Sequence, residues 1–178
     1  MPVGFGGRLR GKGPEHRDLA AQPTQFVVSD RGELVARYDK RFLSHTEVSY
    51  LYTPGREPLV FEVGGIRIGC ALCVEANFPP LFAEYERLGV DCVLLSVMVD
   101  DAPRARVAQA YGTLYSYWLG YAVPAQFSAT VPSGIVAPGG RWLAQCPADG
   151  QPALATWPFG TPGPGAAGRR KGSTRTDW

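Results

Sequence analysis

Four cysteines, Cys70, Cys73, Cys92 and Cys146, have the widest chemical reach in this sequence, and their spacing decides which reactions are open to them. Cys70-x-x-Cys73 is a redox or half-zinc spacing. A zinc site needs a second close pair, and Cys92, Cys146, His16 and His45 supply none at metal-ligand spacing. A dithiol redox site wants both sulfurs at a helix start, whereas Cys70 lies inside an apolar run. Cys73 closes that run. Pro79-Pro80 then permits a helix on which Leu81, Phe82, Tyr85 and Leu88 recur at helical spacing. A thiol where a strand ends and a helix is about to begin stands at the carboxyl edge of a sheet, where nearby N–H groups favour a thiolate. Cys73 is therefore the candidate nucleophile, while Cys70, Cys92 and Cys146 read as small buried hydrophobes.

Positioning that thiol requires a sheet. Leu59, Phe61 and Val63 alternate with polar neighbours, Gly64-Gly65 offers a two-residue turn, and Ile66 and Ile68 resume the alternation, so a β-hairpin leads into Cys73. Upstream, Thr24 to Ser29 and Leu34 to Tyr38 flank the turn Asp30-Arg31-Gly32 as a first hairpin. Phe42 to Pro58 has no clear period and reads as a functional loop. Downstream, Gly89 caps the helix, and Asp91 to Val97 is a buried strand. Asp101 and Pro103 start a long helix with Val107, Ala108, Tyr111, Leu114, Tyr115 and Trp118 on one stripe. Tyr121 to Phe127, Ser133 to Ala137, Arg141 to Cys146 and Ala153 to Trp157 read as strands. Residues 1–23 read as irregular, 24–157 as one domain, and 158–178 as a disordered, Gly/Pro-rich basic tail.

Composition narrows the function classes. With 178 residues, 45% hydrophobic and 19% charged, the chain can bury one sizeable core. A formal net charge of +2 is too mild for a nucleic-acid groove. The longest apolar run, Val93 to Val99 broken by Ser96, is far short of the ~20 residues that span a bilayer, and no signal-peptide core opens the sequence. The expectation is a cytoplasmic protein that meets neither nucleic acid nor membrane.

The ordered series Tyr38-Asp39-Lys40-Arg41, Glu47, Thr53-Pro54-Gly55, Phe61 to Gly69, Leu72-Cys73-Val74-Glu75 and Phe78-Pro79 resembles the nitrilase superfamily, the carbon–nitrogen hydrolases. The likeness continues through Arg87 to Asp91 and Val136 to Gly140. It implies an α/β fold, the nitrilase-like αββα sandwich, and a Glu-Lys-Cys triad that hydrolyses amides, nitriles or N-carbamoyl compounds through a thioester. Cys73 matches the nucleophile and Lys40 the triad lysine. Glu47 matches a second glutamate that orients the site, and Glu75 the acid beside the nucleophile, a structural anchor. Lys40 and the backbone N–H of Val74 would stabilise the developing oxyanion. The implied partner is a small-molecule amide or nitrile, and no cofactor or metal is needed. Such sandwiches often pack sheet to sheet, which leaves a homodimer open.

The sequence also departs from the pattern. The family's general base is a glutamate at the end of an early strand, in an N-terminal portion that has no counterpart here, so the expected sandwich is N-terminally incomplete. Pro14-Glu15 echoes the family's Pro-Glu pair, yet it follows no strand. Phe42 stands where a histidine is common. Two functional classes follow: a thiol amidohydrolase, or a catalytically silent, truncated relative that at most dimerises or binds a ligand.

Overall fold

The computed structural model describes residues 22–49, 52–98, 100 and 102–158. The irregular segment and the basic tail expected at the two ends lie almost wholly outside them.

Two sheets carry the chain. The first is a ribbon of β1 (Thr24–Val28) and β2 (Leu34–Asp39), paired antiparallel with Gln25 opposite Tyr38. The second has six strands in the order β3-β4-β5-β6-β7-β8. They are β3 (Val60–Val63), β4 (Ile66–Leu72), β5 (Cys92–Ser96), β6 (Trp118–Ala122), β7 (Gly134–Val136) and β8 (Trp142–Gln145). The β3–β4 hairpin turns through Gly64 and Gly65 at φ 59° and 80°, values that a two-residue hairpin turn demands and glycine supplies without strain. β4, β5 and β6 are parallel, and the outer pairings are antiparallel.

The parallel strands need helical crossovers. These are α2 (Pro79–Arg87) and α3 (Ala102–Leu114), while a short α1 (His45–Ser49) lies between ribbon and sheet in the chain. Both crossovers step in the same direction across the sheet, so right-handed connections put α2 and α3 on one face. There Leu81, Phe82 and Tyr85 of α2 and Ala108 and Tyr111 of α3 pack on Ala71, Val93, Leu95, Leu119 and Val136. Each large apolar side chain buried this way contributes roughly 1.5–3 kcal/mol. Gly89, at φ 69°, follows α2 as its left-handed stop.

The structure corrects four sequence expectations. The stripe running to Trp118 breaks at Leu114, which is exposed, because Ser116 turns the chain at φ 53° and Trp118 opens β6. The strand expected over Tyr121 to Phe127 ends at Ala122. Pro124 offers no N–H for a ladder, and Ala125–Phe127 is a 3-10 turn. Ala153 to Trp157 pairs with no strand and runs between Pro152 and Pro158. The loop Phe42 to Pro58 contains α1, whose start is a reciprocal box. Ser44 N–H donates to Glu47 Oε2 at 2.7 Å, and Glu47 N–H donates to Ser44 Oγ at 3.3 Å.

β4 outruns its hairpin partner, because its pairing with β3 ends at Gly69 opposite Val60. Past that point its outer edge has backbone groups to satisfy, and side chains satisfy them. The Tyr85 hydroxyl donates to Cys70 O at 2.6 Å and accepts from Cys70 N–H at 3.3 Å. Gly69 makes room for the Tyr85 ring, which a Cβ there would meet at 2.9 Å. Removing the hydroxyl strands two buried backbone groups, so Tyr85→Phe is expected to lower unfolding free energy by about 1–3 kcal/mol in urea titration. A loss below a few tenths of a kcal/mol would show that this edge does not depend on the hydroxyl.

Candidate active site

β4 delivers Cys73 to the carboxyl edge of the parallel strands, where Leu72 pairs with Ser96 of β5. Cys73 then opens a 3-10 helix, Cys73–Asn77, with φ 51°, a left-handed value that a side chain with a Cβ adopts at a cost of about 1–3 kcal/mol. The turn reverses the chain sharply at the thiol. Among the four cysteines only Cys73 is partly exposed. Burial pushes the Cys70 thiol up to about 12, with smaller contributions from Cys92 and Glu75, and the wholly enclosed Cys92 thiol also rises to about 12. Those two thiols are held protonated at neutral pH.

Glu75, two residues into the same turn, is fully buried and acts as a hub. Its Oε1 accepts the N–H of Arg41 at 2.6 Å and of Phe42 at 3.1 Å. Its Oε2 accepts the N–H of Leu72 at 2.7 Å. The Tyr38 hydroxyl lies 2.9 Å from both oxygens and donates to the carboxylate. One side chain thus holds the residue before Cys73 and the residue after Lys40. Burial pushes the Glu75 carboxyl above its usual range, and the donors from Leu72, Phe42, Arg41 and Tyr38 pull the other way without cancelling it. Burial and the adjoining carboxylate raise the Tyr38 phenol far above its ordinary range, so Tyr38 keeps its proton.

Lys40 sits at the end of β2, only 1% exposed. Its position is set by backbone bonds on both sides: Lys40 N–H donates to Pro23 O at 2.9 Å, and Gly55 N–H donates to Lys40 O at 2.7 Å. Gly55 is required there, since a Cβ would collide with the Asp39 backbone. Lys40 Nζ donates to Glu47 Oε1 at 2.6 Å and Oε2 at 2.7 Å. Burial raises the Glu47 carboxyl, but the Lys40 hydrogen bond and charge and the Ser44 donors outweigh it, leaving the group below its usual range. The ammonium is therefore fixed in direction as well as place.

Of the residues singled out from the sequence, Lys40 and Glu47 are in direct contact, Glu75 touches the backbone beside both Lys40 and Cys73, and Val74 follows the thiol in the 3-10 helix. Glu15 lies outside the described residues. Past β5, Val97 is buried and Met98 exposed, while Val99 and Asp101 are outside the described residues. The site has two further contributors, Tyr38 and Ser44. Tyr38 looks like an inward strand residue, with no signal of its carboxylate partner. Ser44 does carry one, the Ser-x-x-Glu capping box with Glu47. Among the described residues no cluster of three His, Cys, Asp or Glu is arranged to hold a metal ion, and no helix is long and apolar enough to cross a membrane.

No family model matches the chain. It is similar to an amidase from Nesterenkonia sp. AN1, at TM-score 0.60 and 22% identity, covering 69% of this chain and 52% of that one. It is similar also to Nit3 of Saccharomyces cerevisiae, a member of branch 10 of the nitrilase superfamily, at TM-score 0.60 and 18% identity, covering 70% and 49%. The fold is that of the nitrilase superfamily. In sequence, a hydrolase of Mycobacterium tuberculosis is 36% identical over 50 residues, 28% of this chain and 18% of that protein. Nitrilase homolog 2 of Dictyostelium discoideum is 32% identical over 74 residues, 37% and 23%. The chain spans about half the length of the solved nitrilase-fold structures and under a quarter of those two relatives. Among the described residues the fold comprises the six-stranded sheet with its two crossover helices and the separate ribbon β1–β2.

The Lys40–Glu47 pair makes stability pH-dependent with a definite sign. A carboxyl held low in the folded state stabilises above its unfolded value, and that contribution disappears as pH falls through the folded value. Wild type is therefore expected to exceed Glu47→Gln in unfolding free energy at neutral pH, with the gap closing as pH drops below about 4. Chemical denaturation of both proteins across pH measures it, and a gap independent of pH would contradict the linkage.

Proposed function

We propose that the protein is a thiol-dependent hydrolase of non-peptide carbon–nitrogen bonds, acting on small amides, nitriles or N-carbamoyl compounds through Cys73. The observation that carries this reading is the one partly exposed thiol of the chain, on a strained turn, tied through Glu75 to the segment that bears a buried lysine. For an amide, the Cys73 thiolate attacks the carbonyl carbon, and the electron pair of the C=O bond moves to oxygen. Lys40 Nζ and the Val74 N–H are the donors for that oxyanion. When the pair returns, the C–N bond breaks, the nitrogen leaves as a protonated amine or ammonia, and a Cys73 thioester remains. Water then attacks the thioester, releasing the acid and restoring the thiol.

Similarity supports the assignment by analogy. A mutant of the Nesterenkonia amidase has been solved with the acetamide moiety of fluoroacetamide added covalently at its active-site cysteine. Carried to this chain, that chemistry falls on Cys73. Glu47 serves to aim the Lys40 ammonium, and Glu75 to hold the two backbone segments together.

A second reading has its own observation. Both carboxylates named for the site are fully engaged, Glu47 by Lys40 and Ser44, Glu75 by Tyr38 and three N–H groups. Neither is placed to ferry the protons that turnover requires, and an absent general base typically costs 10²–10⁴-fold, about 3–5 kcal/mol. A protein that forms a covalent adduct but does not turn over would fit this equally well.

Incubation with fluoroacetamide and with simple aliphatic amides separates the two. Peptide mass spectrometry is expected to find the adduct on Cys73 and not on Cys70, Cys92 or Cys146, with Lys40→Ala slowing it and Cys73→Ala abolishing it. Ammonia release at many equivalents per protein supports the hydrolase, and release that stops at about one equivalent supports the adduct-forming module. Equal, slow labelling of all four cysteines would overturn both.

A further inference from the structure

The Tyr38 hydroxyl is the one side-chain donor on a carboxylate that otherwise accepts only backbone N–H groups. It reaches Glu75 from β2, two residues before Lys40, so the phenol, the carboxylate and the ammonium-bearing segment form one continuous chain of contacts ending at Leu72 and Cys73. Tyr38 and Glu75 are both fully buried, so no water competes for these contacts.

We propose that Tyr38 is a positioning residue for the Lys40–Cys73 pair, acting through Glu75. This rests on the hydrolase reading for its consequence in turnover, but not for its consequence at the thiol. The logic is that of acceptor capacity. An ionised carboxylate can take the N–H groups of Arg41, Phe42 and Leu72 together, whereas a protonated one turns one oxygen into a donor and releases part of that grip. The hydroxyl of Tyr38 adds a fourth donor to the three backbone N–H groups that favour the ionised form, and it does so without adding a second charge to the interior. Among the described residues no other side chain donates to Glu75. Arg41 spends its guanidinium on Glu84 at 2.6 Å, and Tyr85 and Cys70 are neutral groups of α2 and β4 whose own ionisation Glu75 opposes.

With Tyr38→Phe the ring still fills its place, but Glu75 loses a donor that pulls its carboxyl down, so it takes up a proton at higher pH than in wild type. The Lys40 segment and the Cys73 turn then loosen together as pH falls. The test is the rate of Cys73 alkylation by iodoacetamide in the intact chain, followed by peptide mass spectrometry, with folding checked by circular dichroism. Tyr38→Phe is expected to label about ten-fold more slowly than wild type at the acid end of the range in which the fold persists and within about two-fold at its alkaline end, since small misplacements of reacting groups are costly. In a Glu75→Gln background, with the titrating group gone, Tyr38→Phe should change the rate by a factor that does not vary with pH. A pH-independent ratio between Tyr38→Phe and wild type, or no difference, overturns the proposal.

Where Tyr38→Phe fails to fold, Glu75→Gln alone supplies the readout: slower Cys73 labelling by a pH-invariant factor supports the linkage, and unchanged labelling overturns it. Because iodoacetamide needs no amide hydrolysis, a chain that hydrolyses nothing yet shows this pH signature defeats the hydrolase reading only. A chain that hydrolyses amides with kcat untouched in Tyr38→Phe, and labels like wild type, defeats the positioning role only.

Discussion

A single buried carboxylate holds together two parts of the chain that sequence separates widely. Glu75 accepts from Leu72 on the sheet side and from Arg41 and Phe42 on the ribbon side, with Tyr38 closing the cluster. Desolvating a lone carboxylate is expensive, and it is tolerated only when donors converge on it. Here three backbone N–H groups converge. Removing Glu75 would leave those N–H groups buried without partners, so the same energetics that make the acid costly to bury also make the assembled geometry hard to leave. The strained turn at Cys73 is held by the same bonds.

The sheet supplies the rigidity that this cluster needs. β4, β5 and β6 run parallel with their carboxyl ends aligned, and α2 and α3 cover one face, so Cys73 extends from the best-packed part of the fold. Lys40 stands on the smaller sheet and gains its order from elsewhere: backbone bonds to Pro23 and Gly55, and a carboxylate, Glu47, that is itself fixed by the Ser44 box. Each candidate group therefore has a separate source of order, and Glu75 is where the two meet.

Much of the frame is legible in the sequence because local rules decide it. Gly64-Gly65 between alternating runs can only be a tight hairpin, Pro79-Pro80 can only open a helix, and Gly89 stops it. The fold family is legible in the ordered series from Tyr38 to Gly140, which no local rule would produce. What is not legible is set by tertiary contact. The aromatic stripe of α3 continues in sequence to Trp118, but a left-handed Ser116 hands that residue to β6. Tyr38 carries no mark of its partner, since a tyrosine on an alternating strand is by default apolar filling. Lys40 and Glu75, residue types that ordinarily seek water, are buried for reasons that appear only when ribbon and sheet come together. The Ser44–Glu47 box is the exception, a local signal sitting inside a stretch without hydrophobic period.

The ribbon β1–β2 is a two-stranded sheet, and such hairpins are marginal by themselves in water. Its ties to the six-stranded sheet and its helices include those of Tyr38, Arg41 and Phe42 to α2 and the Cys73 turn, beside the Phe42 ring stacked on Phe78. Proteins open in cooperative units of unequal stability, and a unit with few buried apolar contacts opens first. Were the ribbon to open before the larger sheet, the boundary would pass between Lys40 and Cys73. An excursion that freed the ribbon would carry the Lys40 side chain away from the turn and leave the thiol on an intact sheet. How closely the two segments stay together is then decided by the ties at that boundary, apart from the thiol itself.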